Sequence, residues 1–120
     1  MTRSPQPSFV RLLNMLNAMR QMSPFHTLNG EEGLLLDALI VQWHERDNIM
    51  VSEVMSDARF GSQPTAYRRI IALRDKGLVC LRTDSKDKRV KFVEPTKLAR
   101  DYMASISEGI AALGQSPRTV

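Results

Sequence analysis

SQPTAYRRIIALRDKG, residues 62–77, reads as one complete helical unit. Ser62 is a good N-cap, because its hydroxyl can accept from an amide of the first turn. Pro64 follows inside that turn, where an amide has no intrahelical partner to lose. Ala66, Ile70 and Leu73 recur at helical spacing and form an inward stripe. Gly77 is placed to end the helix. The same short unit also carries three arginines, Arg68, Arg69 and Arg74. An inward stripe leaves such charge on the outer face, where an anionic partner can meet it.

The surrounding charge points the same way. The chain has 120 residues and a formal net charge of +4. From Arg59 to Lys91 there are ten Lys or Arg against three Asp, a net +7, while the remainder holds seven basic and ten acidic residues. Localised positive charge of this kind suits nucleic acid. A solvated basic surface is the plainer reading, and local geometry has to decide between them.

Working outward from the helix, LVCLRT (78–83), DSKDK (84–88) and RVKFVEP (89–95) read as strand, polar turn and strand, a β-hairpin. Val90, Phe92 and either Val79 or Leu81 are expected on its apolar side, with Cys80 packed in the first strand. Upstream, Ser52 is expected to cap a short helix containing Val54, Met55 and Ala58, and Gly61 ends that unit. IMV (49–51) is too short for a strand of its own but can pair with a later one. Asn29 or Gly30 starts a helix running to about Arg46, with Glu31 and Glu32 in its first turn. Phe9, Leu12, Leu13, Leu16 and Met19 stripe a first helix over 9–19. Thr96 can cap a last helix to about Leu113, with Leu98, Tyr102, Ile106 and Ile110 among its apolar positions.

That order is helix, helix, short strand, helix, helix, hairpin, helix. Two short helices across a tight turn, then a basic hairpin, make a winged helix-turn-helix whose second short helix enters the major groove. The expected class is α+β, mainly α, with flanking N- and C-terminal helices for dimerisation. Residues 1–8 are expected as a flexible arm, 9–113 as one domain, and 114–120 as a flexible tail.

The run from Ser52 to Thr96 resembles the multiple antibiotic resistance regulator (MarR) family of winged-helix transcription factors. SEV (52–54), SQPTAYRRIIALRDKGLV (62–79) and DKR (87–89) carry the likeness. They look like the family's first motif helix, its recognition helix and the Asp-x-Arg signature of its wing. The family usually has an arginine two residues after the glycine-leucine-aliphatic run; Leu81 stands there, and Arg82 follows. The family commonly enters its last helix through leucine-threonine, where this chain has Pro95-Thr96.

On this reading Gln63, Thr65 and Arg68 lie at the solvent-facing start of the recognition helix. Arg suits guanine O6 and N7, and Gln suits adenine N6 and N7. Thr65 can meet a base edge or a phosphate. Pro64 can touch a thymine methyl beside its structural role, and Tyr67 can reach phosphate or sit half-buried. Arg69 lies nearer the packed side, so it either binds phosphate or pairs with an acid. In the wing, Lys86, Lys88 and Lys91 are further phosphate candidates. The resemblance implies that Arg89 enters the minor groove and that Asp87 holds the wing.

The stripes at Phe9, Leu12, Leu13 and Leu16 and at Leu98, Tyr102, Ile106 and Ile110 need burial. They either fold back on one core or pair across a homodimer, and the resemblance implies the dimer. It also implies that a small aromatic effector can bind between the dimer helices and the DNA-binding lobe; Phe25 and Trp43 are candidates to line such a cleft or to pack in the core.

Other chemistry finds little support. His26 and His44 stand far apart with no metal-ligand spacing, so no metal, cofactor or catalytic residue is expected. One cysteine cannot form an internal disulfide. The most apolar stretch, GLLLDALIVQW (33–43), is interrupted by Asp37 and is too short to span a membrane. A cytoplasmic, nucleoid-associated regulator of double-stranded DNA, most simply a repressor, is the leading expectation. A winged-helix interaction module that does not read DNA is the alternative.

Overall fold

The computed structural model describes residues 7–114. Of the expected arm and tail, 1–6 and 115–120 lie outside the described residues, and Ser8 already opens the first helix. Elements run α1 (Ser8–Arg20), a 3-10 turn (Phe25–Thr27), α2 (Gly30–Glu45), α3 (Val51–Met55), a second 3-10 turn (Ala58–Phe60), α4 (Gln63–Asp75), β1 (Val79–Thr83), β2 (Lys91–Pro95) and α5 (Lys97–Leu113). They form two compact units, one spanning Leu28–Arg100 and one joining the segment up to Thr27 with the segment from Asp101.

The Leu28–Arg100 unit is built around α4. Ala66, Ile70 and Leu73 are each 0% exposed, as the spacing predicts. They meet a core that includes Leu35 and Leu39 of α2, Val54 of α3, and Leu78, Val79 and Val93 around the hairpin. The helix start at Asn29 is also as read: its side chain accepts from Glu32 N–H at 2.8 Å, while Glu32 Oε1 accepts from Asn29 N–H at 3.1 Å. Two orphan donors are thereby satisfied at once.

The stop of α4 is a two-bond glycine turn. Leu78 N–H donates to Leu73 O and Gly77 N–H to Arg74 O, with Gly77 at φ +79°. That backbone region is open to glycine at little cost. Thr96 then ties this corner to the last helix: its hydroxyl donates to Gly77 O at 2.7 Å and accepts from Ala99 N–H at 3.2 Å.

Four local expectations need correction. Ser52 is not the cap of α3; Met50 holds that position, and its N–H is received by Glu53 Oε1 at 3.1 Å. A methionine can stand there because Met50 is fixed from elsewhere, bridging to Phe92 while Ile49 O accepts from Val93 N–H. The same pairing sets the hairpin's facing. Leu81 opposes Val93 and Val79 opposes Pro95, so Val93, 1% exposed, is the inward residue of β2. Phe92 therefore lies on the other face, where Arg82 covers its ring at 4.6 Å. Alternation puts Cys80 on that outer face too; it is exposed, not packed. Finally, Arg89 and Val90 belong to the turn, because β2 begins at Lys91.

In the other unit, Phe25 is buried and stacks on Tyr102 with centroids 4.0 Å apart. α1 and α5 approach closely there: a Cβ at Gly109 would run into Met15 Sδ. Leu12, Leu16 and Ile106 are half-buried within this unit. Phe9 (66%), Leu13 (40%) and Ile110 (51%) stay open to solvent.

Lys76 at the end of α4 reaches Glu32 Oε1 at 2.5 Å. Burial would raise the Glu32 carboxyl, but Lys76 and the Asn29 amide outweigh it and hold the group below its ordinary 4.5. A depressed carboxyl contributes stability above its unfolded value, and that contribution fades as pH falls through the folded value. Glu32→Gln should therefore lower stability at neutral pH by about 1–2 kcal/mol. Urea titrations from neutral to acid pH should show the gap closing below the ordinary carboxyl range.

Candidate nucleic-acid interface

Placement of the outer face of α4 begins one turn upstream. Asp57 caps the Ala58–Phe60 turn, and Gly61 leaves it at φ +88°. Ser62 then caps α4, accepting from Thr65 N–H at 3.4 Å. Its hydroxyl donates to Thr65 Oγ1 at 2.9 Å, and Arg68 Nη2 donates to the same oxygen at 3.2 Å. Ser62, Thr65 and Arg68 so form a polar ladder along the exposed start of the helix. Gln63, Pro64, Tyr67 and Arg68 are exposed, and Thr65 is half-buried.

Arg69 behaves differently from Arg68. Its Nη1 donates to Phe60 O at 2.8 Å, and its Nη2 lies 3.6 Å from Glu31 Oε2. Of its two readings, the structure shows the acid pair, together with a bond that pins the upstream turn to α4. Arg74 pairs with neighbouring Asp75 at 3.2 Å.

The wing tip is organised by its aspartates. Asp84 N–H donates to Val90 O and Val90 N–H to Asp87 O. Asp87 Oδ1 accepts from the backbone N–H of Arg89 at 3.0 Å and from its Nε at 3.1 Å, while Oδ2 accepts from Nη2 at 3.2 Å. These bonds, the guanidinium first, hold the Asp87 carboxyl below its usual range. The Arg89 side chain itself is 92% exposed. Lys86, Lys88 and Lys91 are exposed on the same hairpin. A cleft of about 220 Å³ brings Arg89, Val90 and Lys91 against Val51, Ser52 and Met55 of α3.

Sequence reasoning passed over two arginines. Arg82 donates to Glu94 Oε1 at 3.0 Å and to Asn48 Oδ1 at 2.8 Å. It braces the wing base against the turn at Asn48, a residue at φ +59°. Arg59 forms an ion pair with Asp57 at 2.7 Å. Its signal was an Asp-x-Arg spacing that recurs at 87–89. Trp43 Nε1 donates to Val93 O at 3.0 Å, so this ring helps fasten α2 to the wing.

Solved structures share this fold. The S. aureus MepR–DNA complex matches with a TM-score of 0.60 at 17% identity, over 89% of this chain and 85% of that one. The crystal structure of MarR matches at 0.51 and 15% identity, over 88% and 74%. BpsR of Bordetella bronchiseptica, whose DNA binding is regulated by 6-hydroxynicotinic acid, matches at 0.51 and 22% identity, over 91% and 84%. This chain has the MarR winged helix-turn-helix fold. No protein-family model matches the sequence, and no curated protein does.

In that fold α3 and α4 are the paired helices and β1–β2 is the wing. Among the described residues no group of three or more His, Cys, Asp or Glu could hold a metal ion. Among them, too, no helix is long and apolar enough to cross a membrane.

The two adjacent arginines should separate cleanly. Arg69→Ala removes a bond to a part-buried carbonyl and should cost about 1–2 kcal/mol in urea unfolding. Its exposed link to Glu31 adds little. Arg68→Ala should leave the unfolding free energy within about 0.5 kcal/mol of wild type.

Proposed function

We propose that this chain is a sequence-specific, double-stranded DNA-binding transcriptional regulator, acting as a dimeric repressor. The observation that carries this reading is the outward edge at the start of α4, with Gln63, Pro64, Tyr67 and Arg68 exposed and Thr65 half-buried, placed by the buried face opposite Arg68. Arg68 and Gln63 supply the donors that base edges in the major groove require. Pro64, Thr65 and Tyr67 line the same edge. Arg89, held by Asp87 and otherwise exposed, is the minor-groove residue of the wing, and Lys86, Lys88 and Lys91 add phosphate contacts. MepR, which this chain resembles in fold, is seen with DNA.

Genomic fragments selected on the immobilised protein supply the operator for the test. Wild type should bind it several-fold better than scrambled duplex, with affinity falling as salt rises. If Arg68 reads a guanine, changing that base should cost wild type about 1–3 kcal/mol, and Arg68→Ala should no longer distinguish the two duplexes. If Arg68 holds phosphate, both duplexes should weaken alike and the salt slope should fall by about one. Equal binding of operator and scrambled duplex by wild type would favour an interaction module instead.

The dimer rests on Phe9, Leu13 and Ile110, large apolar side chains left in water by their own unit. Leu12, Leu16, Leu98, Tyr102 and Ile106 belong to the same apolar set. A homodimer would present two copies of α4 to successive turns of a pseudo-palindrome. Sedimentation equilibrium should give twice the chain mass at micromolar concentration. Leu13→Glu should shift it to one chain mass with helical content retained; a monomeric wild type rules the dimer out.

A further inference from the structure

Asp57-Ala58-Arg59 and Asp87-Lys88-Arg89 are the same small device built twice. In each, Asp Oδ1 accepts the arginine's own backbone N–H at 3.0 Å. In each, Nε donates to that Oδ1, at 3.2 Å for Arg59 and 3.1 Å for Arg89. In each, Nη2 donates to Oδ2, at 2.7 Å and 3.2 Å. Both carboxyls are held below their usual range, with the arginine side chain as the leading cause. One device sits in the wing; the other sits in the turn that leads into α4.

An arginine gripped in this way is not spent. A guanidinium has five N–H donors in a planar fork, and the aspartate takes Nε–H and one Nη2–H. The remaining donors point away from the carboxylate. The Arg59 side chain is 66% exposed against 25% for Asp57, so the arginine is the outer member of the pair. Its guanidinium also lies 5.2 Å from the Phe60 ring centroid, and Phe60 is buried. Phe60 O in turn receives Arg69 of α4. Arg59 is therefore held beside the start of α4, and less side-chain entropy is left to lose when a partner arrives.

We propose that Arg59 is a DNA-backbone contact, a phosphate clamp at the entrance to α4, and that Asp57 is its positioning residue. The proposal rests on the DNA-binding reading above and extends it to a residue outside α4 and the wing. A phosphate is the fitting partner because it is a diffuse anion that accepts from a fork, and its contact is independent of sequence.

That independence gives the test. Binding of a mixed-sequence duplex is measured by fluorescence anisotropy across a salt series for wild type, Arg59→Ala, Arg59→Gln, Asp57→Asn and the double variant Asp57→Asn/Arg59→Gln. Glutamine keeps an uncharged polar side chain at position 59, and asparagine keeps the acceptor for the residue-59 amide, so fold is preserved in at least one variant of each residue; thermal melts check it. Both Arg59 variants should bind about tenfold more weakly, with the salt slope reduced by about one. Asp57→Asn should weaken binding when Arg59 is present, because the clamp is lost. In the Arg59→Gln background it should strengthen binding, because only a repelling charge is removed. Wild-type affinity and slope in folded Arg59→Gln would overturn the contact. Stronger binding by Asp57→Asn in both backgrounds would overturn the positioning role. Wild type that fails to bind duplex at low salt would instead remove the DNA-binding reading itself.

Discussion

Burial of Ala66, Ile70 and Leu73 to 0% exposure fixes the rotation of α4 about its own axis. Residues on an α-helix are separated by about 100°. Once that stripe faces the core, Pro64 and Arg68 have to face water and Arg69 has to graze the boundary, while Gln63 is exposed because it opens the helix. The difference between an outward arginine and a bracing one is thus decided by side chains that carry no charge. Leu35 and Leu39 of α2 and Val54 of α3 supply the surface for that stripe.

Rotation alone leaves a helix able to slide along its axis. The two ends prevent this by different means. At the start, Gly61 turns the chain at φ +88°, and a Cβ there would meet Thr65 Cγ2 at 3.2 Å while adopting strained backbone. At the end, Gly77 reverses the chain so that Leu78 can enter the core, and Thr96 and Lys76 bond this corner to α5 and α2. Two glycines do work that no side chain at those positions could do. Between them the polar ladder of Ser62, Thr65 and Arg68 is set at one height as well as one angle.

These local features were readable because their causes are local. A cap, a glycine stop and a four-three apolar stripe each involve residues within a turn or two of one another. The Asn29 start, the Ser62 start and the Thr96 start all follow such rules. The errors arose where a distant strand decided the outcome. Met50 caps α3 because its backbone is bridged to Phe92, which no nearby residue reveals. The facing of β2 is a one-residue register choice, and a slip of one inverts the whole strand. Phe92 is the larger apolar residue, so composition favours it inside. The bond from Val93 N–H to Ile49 O reverses that choice, and Arg82 covers the half-buried Phe92 ring on the other face. Cys80 follows from the same register.

The basic segment therefore contains two populations that a charge count cannot tell apart. Arg69, Lys76 and Arg82 reach across to other elements, on Phe60 O, Glu32 and Glu94 respectively. They brace the fold, and the carboxylate partners Glu32 and Glu94 lie outside the run of sequence that made it look so positive. Among the described residues, Arg59, Arg68 and Arg89 bond within their own turn, and all three are exposed. Arginine suits both uses because its fork can be held on one side while offering donors on the other. A lysine at Arg59 or Arg89 would keep the charge but lose the grip, since an ammonium on a flexible stem has no second edge to present. The orientation of the outward charge is thus set by its neighbours in sequence, Asp57 for Arg59, Asp87 for Arg89 and Thr65 for Arg68.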